Sequence, residues 1–269
     1  MINNSFSDIT FSNETLICYA VLAVIGLAIP LAAALIWKKK LKKGDVIPII
    51  LGAAMFFLFA MVLESLLHLV MLPIVKNSTA LYCVYGALAA GLFEETARFL
   101  CFKILMKKKL SAENAVSYGI GHGGFEMIPV LTITSIGAII MGIMVNSAGT
   151  DAFIASVGAE NEAIAEQLLT QVKTYSVMNT PQAFLAVYER IVAMTFHISM
   201  SVIVMEAAKI KGRAWLYPAA IILHALLDTP AVLYQREIIP MWLCFVIMTV
   251  YTGIITFAAF KRYKYLKTH

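Results

Sequence analysis

The chain is short of charge, has no paired-cysteine motif and carries none of the common hydrolase signatures. Only 14% of its 269 residues are charged, while 61% are hydrophobic. A soluble domain has about 25% charged and about 45–50% apolar residues. That imbalance excludes an ordinary soluble globule, because so much apolar surface has no water-filled alternative to a bilayer. The four cysteines, Cys18, Cys83, Cys101 and Cys244, all fall in apolar runs and none has CxxC spacing. Neither a disulfide framework nor a thiolate zinc site is indicated. HExxH is absent, and neither GxSxG nor a serine–lysine pattern is evident. Residues 1–14 lack lysine and arginine, so they do not read as a secretory signal peptide. No internal repeat or low-complexity tract stands out. The chain therefore reads as one integral membrane domain over 1–269, with no large soluble domain before or after its spans.

What is present is a series of apolar runs, several exceeding the ~20 residues that cross a bilayer. They predict an all-α, polytopic bundle of about seven helices, at roughly 16–37, 46–74, 81–106, 113–145, 182–208, 214–235 and 239–260. The fourth run contains Pro129, which predicts a kink or break. The net charge of +5 would suggest nucleic acid in a soluble protein. Here the basic residues flank hydrophobic runs, which is a topology signal, and no nucleic-acid partner is expected.

Lys38, Lys39, Lys40, Lys42 and Lys43, then Lys107 to Lys109, then Lys209, Lys211 and Arg213, then Lys261, Arg262, Lys264 and Lys267 fall on one side. They make up fifteen of the 21 basic residues. The other side has Lys76, Lys173 and Arg236, and Arg98, Lys103 and Arg190 lie within spans. The positive-inside rule puts the N-terminus outside and the C-terminus in the cytoplasm. The expected location is the cell membrane, as a multi-pass protein of the bacterial plasma membrane, with membrane lipids around it. Residues 146–181 form an extracytoplasmic loop carrying Asp151, Glu160, Glu162 and Glu166. Its Ala-Glu-rich text from about 159 to 173 reads as a surface helix. It serves either as a lid or docking element, or as a solvated connection.

Charge at mid-bilayer costs at least about 2.5–3.5 kcal/mol, so buried ionisable residues face the bundle interior and need partners. In GLFEETARFL, Arg98 follows Glu94 and Glu95 at i+4 and i+3 and can sit over either. One arginine against two glutamates leaves a spare carboxylate to carry a proton. In GHGGFE, His122 and Glu126 share a helix face, and Gly119, Gly121, Gly123 and Gly124 permit close helix approach. His197 lies in TFHISM. His224 and Asp228 repeat the i, i+4 spacing in HALLD, as do Glu64 and His68. Four of the five histidines are thus intramembrane. Glu64 with His68 reads as structural or accessory. Glu189 with Arg190, and Glu206 beside cytoplasmic lysines, read as structural.

In FEETARF the sequence is similar to the EExxxR-type first motif of the CAAX-protease and bacteriocin-processing superfamily. Together with GHGGFE, a central histidine on a later helix and HxxxD, it resembles the YhfC family of intramembrane metalloproteases, with the PrsW endopeptidases a near comparison. The resemblance covers about 90–230, the expected catalytic core. It implies that a first-motif glutamate, Glu94 or Glu95, works with a histidine to activate water beside Arg98. The last pair corresponds to His224 and Asp228. Asp228 stands where an asparagine is often found, and an ionised aspartate would repel an oxyanion rather than donate to it. FxxxH is not cleanly present. GHGGFE supplies His122 and Glu126 at another spacing, so His122 and His197 both stay candidates for activating water.

The expected activity is endopeptidase cleavage of membrane-associated protein or peptide substrates. The catalytic set is Glu94, Glu95, Arg98, Glu126, His197, His224 and Asp228. His122, His197 and His224 are the expected ligands if Zn²⁺ is bound. Without metal, a Glu–His pair would activate the water and other histidines would stabilise the oxyanion. Two rivals use the same residues: a proton-coupled transporter, for which buried Glu, Asp and His form relays, and a non-catalytic membrane scaffold.

Overall fold

The computed structural model describes residues 9–157 and 161–269. Glu160 and the start of the N-terminal segment lie outside that range. Among the described residues the chain is all helical, with nine helices and no strand. They are α1 (Asn13–Lys40), α2 (Val46–Val75), α3 (Thr79–Leu100, continued through Cys101–Leu105), α4 (Ala112–Ala148), α5 (Thr150–Ser156), α6 (Glu162–Ser176), α7 (Thr180–Lys209), α8 (Leu216–Gln235) and α9 (Met241–Thr268). Six of them, α1, α2, α4, α7, α8 and α9, are long and apolar enough to cross a membrane. Helix α3 has the length as well, but it carries Glu94, Glu95, Arg98 and Lys103 in place of apolar residues.

Large apolar side chains such as Leu69, Val24, Phe257 and Trp242 are exposed along these helices. Such surfaces suit lipid and would be unfavourable in water. Helix α7 is the most buried of the six, at 78% of its apolar stretch against 22% for α2.

The described chain divides into two compact units. The smaller consists of residues up to Ala28 with Met127–Tyr188. Within it the Asn146 side chain bridges Phe11, accepting from its N–H and donating to its carbonyl, both at 2.8 Å. Thr15 Oγ1 donates to the Met178 carbonyl at 2.9 Å. The predicted surface helix is present as α6, capped by Asn161, whose side chain accepts from the Ala163 N–H at 2.9 Å. Pro129 does not end α4. The helix passes it through a π-helical turn, Ile128–Ile133, and Thr134 Oγ1 donates to the Pro129 carbonyl at 3.0 Å.

The larger unit is Ile29–Glu126 with Glu189–His269. Its α3 and α8 pack along each other closely, and a Cβ added at Gly91 would meet the Ile221 carbonyl. The first half of α4 is squeezed between α2 and α7. A Cβ at Gly121 would collide with the Ile49 backbone, and one at Gly123 would meet Met194 Cα at 3.0 Å and His197 Cβ at 3.1 Å. The glycines bring His122 and His197 within ring contact, with centroids 5.0 Å apart. Because the obstacle at Gly121 is backbone, Gly121→Ala should destabilise the protein by about 1–3 kcal/mol. Thermal unfolding in detergent checks this, and an unchanged midpoint would refute it.

A packed core fills the half of this unit nearest the lysine-rich connections. It includes Phe102, Met106, Tyr118, Met200, Val204 and Met205, all essentially inaccessible. At that end Lys109 Nζ donates to Asp45 Oδ2 at 2.9 Å, holding the Asp45 carboxyl below the usual carboxylate range. The buried Glu206 carboxylate pairs with Arg262 at 2.9 Å and Arg213 at 3.6 Å, where the sequence suggested lysines.

Candidate functional site

All the ionisable residues singled out in the spans, from Glu64 to Asp228, lie in the larger unit. Helices α3, α4, α7 and α8 carry most of them toward one centre. On α3 the side-by-side glutamates separate their tasks. Glu95 pairs with Arg98, both with fully buried side chains. Glu94 is therefore the spare carboxylate, and it turns to the histidines. His122 Nε2 donates to Glu94 Oε2 at 2.8 Å, and His197 Nδ1 lies 3.6 Å from the same oxygen.

Donor and acceptor rules place a proton on each ring. Arginine can only donate, so the 3.2 Å contact from Arg98 Nη2 makes His197 Nδ1 an acceptor. The proton is then on Nε2, which donates to Glu126 Oε2 at 2.7 Å. On α8, His224 Nδ1 donates to Glu95 Oε1 at 2.7 Å. That leaves its Nε2 on the other side, 3.5 Å from Asp228 Oδ2. Each of these two histidines thus has one ring nitrogen held by a carboxylate, while the other meets Arg98 in His197 and lies toward Asp228 in His224. Metal-binding histidines are commonly oriented in this way.

Glu94, His197 and His224 each offer a ligand atom, and these atoms lie within 4.8 Å of one another. One carboxylate and two imidazoles suit zinc and similar divalent ions. Their setting also fits a metal: all three are buried, and all three line a cavity of about 240 Å³. Asp228 Oδ2, in the same wall, has no hydrogen-bond partner among the described residues. His122, expected as a ligand with His197 and His224, sits behind Glu94, and Glu94 takes the third place in the cluster.

Two residues read as structural, Glu189 and Arg190, line the cavity as well. Arg190 pairs with Glu189 and donates to Glu126 Oε1 at 2.8 Å. The signal in the sequence was an arginine inside a span, with more intramembrane acid than Glu189 to neutralise. Glu64 and His68 lie on α2 beside this centre, 3.5 Å apart, and His68 Nδ1 is hydrogen-bonded to Tyr85 at 2.5 Å.

The family model described as YhfC intramembrane metalloprotease matches residues 24–251. The chain belongs to the YhfC family. It is 32% identical over 237 residues to a protein of Bacillus subtilis (strain 168) described as "Uncharacterized membrane protein YhfC". That match covers 85% of this chain and 88% of the relative. No solved structure matches the chain. The stretch shared with the YhfC family contains every residue of the buried centre, from Glu64 to Asp228. The family's name denotes an intramembrane metalloprotease, and the buried Glu94–His197–His224 group is compatible with a metal site.

Proposed function

We propose that the chain is an intramembrane endopeptidase of the bacterial plasma membrane that hydrolyses membrane-associated proteins or peptides at a zinc site. The observation that carries this reading is the Glu94–His197–His224 cluster at the cavity wall, with its ligand atoms within 4.8 Å. Zinc held by these three residues would polarise a peptide carbonyl and bring the pKa of a water down to about 7.

The chain's own residues do the rest. Glu95, neutralised by Arg98, holds His224 so that its Nε2 faces the cavity. Glu126, held by Arg190, fixes the ring of His197 through Nε2, and a metal at His197 Nδ1 would take the place of the Arg98 contact there. His122 fixes the Glu94 carboxylate. Asp228 has a free oxygen in the cavity wall and is placed to take a proton from the attacking water and return it to the leaving amine. That use suits the aspartate at this position better than oxyanion stabilisation does.

The test is elemental analysis of the detergent-purified protein. About one zinc per chain is expected in the wild type, and near none in a His197→Ala/His224→Ala variant. A second reading has its own support in the direct 2.8 Å contact of His122 with Glu94. In it that pair activates water without metal. Folded, freshly purified protein free of metal, yet cleaving peptide bonds, would favour it and refute the zinc site.

A further inference from the structure

The residues around the cluster are distributed unevenly along every helix that carries it. The cavity is lined by Gly86 and Ala90 on α3, before Glu94, and by Glu189, Arg190 and Ala193 on α7, before His197. On α8 it is lined from His224 onward to Gln235, and on α4 by Glu126, which follows His122. Given the directions of these helices, all of these positions lie on one side of the cluster, away from the lysine-rich connections.

Most of the core lies on the other side, although Leu227 and Met248 of the core also line the cavity. Cys101 and Phe102 on α3 and Met106 just after it follow the site, and Met200 to Ala208 follow it on α7. Ala112 to Tyr118 precede it on α4, and Leu216 and Ala220 precede it on α8. Side-chain exposure follows the same axis. It is zero for Arg98 and His122, 3% for His224, 18% for Glu126 and 23–26% for Glu189 and Asp228. Gln235, at the far end, is exposed.

We infer that the site is entered only from the membrane face opposite the lysine-rich loops. With those loops cytoplasmic, that is the extracytoplasmic face. Toward the cytoplasm, buried side chains of the core stand between the cluster and the lysine-rich connections. The depth of the path follows from helix geometry. Gln235 is eleven residues beyond His224, and at ~1.5 Å per residue the lip stands about 16 Å above the cluster. An extended chain covers about 3.3 Å per residue, so about five residues must leave regular structure to bring a peptide bond down to the site.

Gly86, Ala90, Ala193 and Ala231 on the walls allow such a backbone close approach. The substrate class is therefore an anchored polypeptide with an extended, unstructured stretch just outside the membrane, not one presented from the cytoplasm. The word substrate rests on the peptidase reading, but the direction of access does not.

The experiment places single cysteines at Ala231, Gln235 and Lys108 and labels them with a membrane-impermeant thiol reagent. Intact cells and inside-out vesicles are compared. The background has Cys18, Cys83, Cys101 and Cys244 changed to alanine, and the native background is the control should that variant not fold. Ala231→Cys and Gln235→Cys should label in intact cells, and Lys108→Cys only in inside-out vesicles. Labelling of Ala231→Cys from the Lys108 side, or from neither side, overturns the inference. The readout needs neither metal nor cleavage, so it fails separately from the peptidase reading. An active enzyme with Ala231 reached from the cytoplasm loses only the access claim. A metal-free, inactive protein with the expected labelling loses only the peptidase claim.

Discussion

Glutamine in place of Glu94 should abolish cleavage and empty the metal site while leaving the fold intact. Glu94 is the carboxylate member of the cluster and, among the described residues, the carboxylate to which His122 is hydrogen-bonded. The amide keeps the volume and can still accept from His122 Nε2–H, so packing is preserved. What it loses is the negative charge that a divalent cation or an activated water requires. Removal of an acid–base group costs about 10²–10⁴-fold, and loss of one of three ligands acts in addition. The measurement is the set of new peptide N-termini that appear when wild-type chain, but not the variant, is reconstituted with host membrane proteins. Zinc content is read in parallel. Wild-type cleavage with wild-type metal in Glu94→Gln would remove Glu94 from the mechanism. The parallel change at Glu95 has a different expected signature. Glu95 is not in the cavity wall and acts through His224, so Glu95→Gln should weaken metal binding by about 10–100-fold without abolishing it.

The largest loss of stability is expected from Arg98→Met. Arg98 and Glu95 have fully buried side chains and face each other one turn apart on α3. Methionine fills much of the space but leaves the Glu95 carboxylate in a low-dielectric interior with only His224 to answer it. Breaking a buried pair from one side costs about 3–5 kcal/mol, whereas removing both charges is often near neutral. Arg98→Met should therefore lower the unfolding midpoint in detergent sharply, and Glu95→Gln/Arg98→Met should recover most of the loss. A double variant no better than the single one would show that the pair is not coupled in this way. The recovered protein should still bind metal poorly, because His224 then lacks a carboxylate on Nδ1. Its stability and its metal affinity would separate.

The sequence alone determined the helices and the inventory of buried charge. Their positions follow from local rules: a span needs a long apolar run, and turns break it. The 46–74 run became Val46–Val75, and 214–235 became Leu216–Gln235. Glu94, Arg98, His122, His197, His224 and Asp228 stood out because charge inside an apolar run is costly wherever the chain folds. The π-helical stretch Phe57–Glu64 had no such sign. No proline or glycine interrupts it, so nothing local marks it.

Which residues pair with which depended on how the helices pack. Spacing allowed Arg98 to sit over Glu94 or Glu95, and His122 to reach Glu126. The rotation of α3 against α8 gave Glu95 to Arg98 and His224. The close approach of α4 to α7, which Gly123 permits, left Glu94 to His122 and passed Glu126 to His197 and Arg190. A helix repeat fixes which residues share a face, but not which face a neighbour presents. The cluster, its open side and its core-facing side are therefore properties of four helices together.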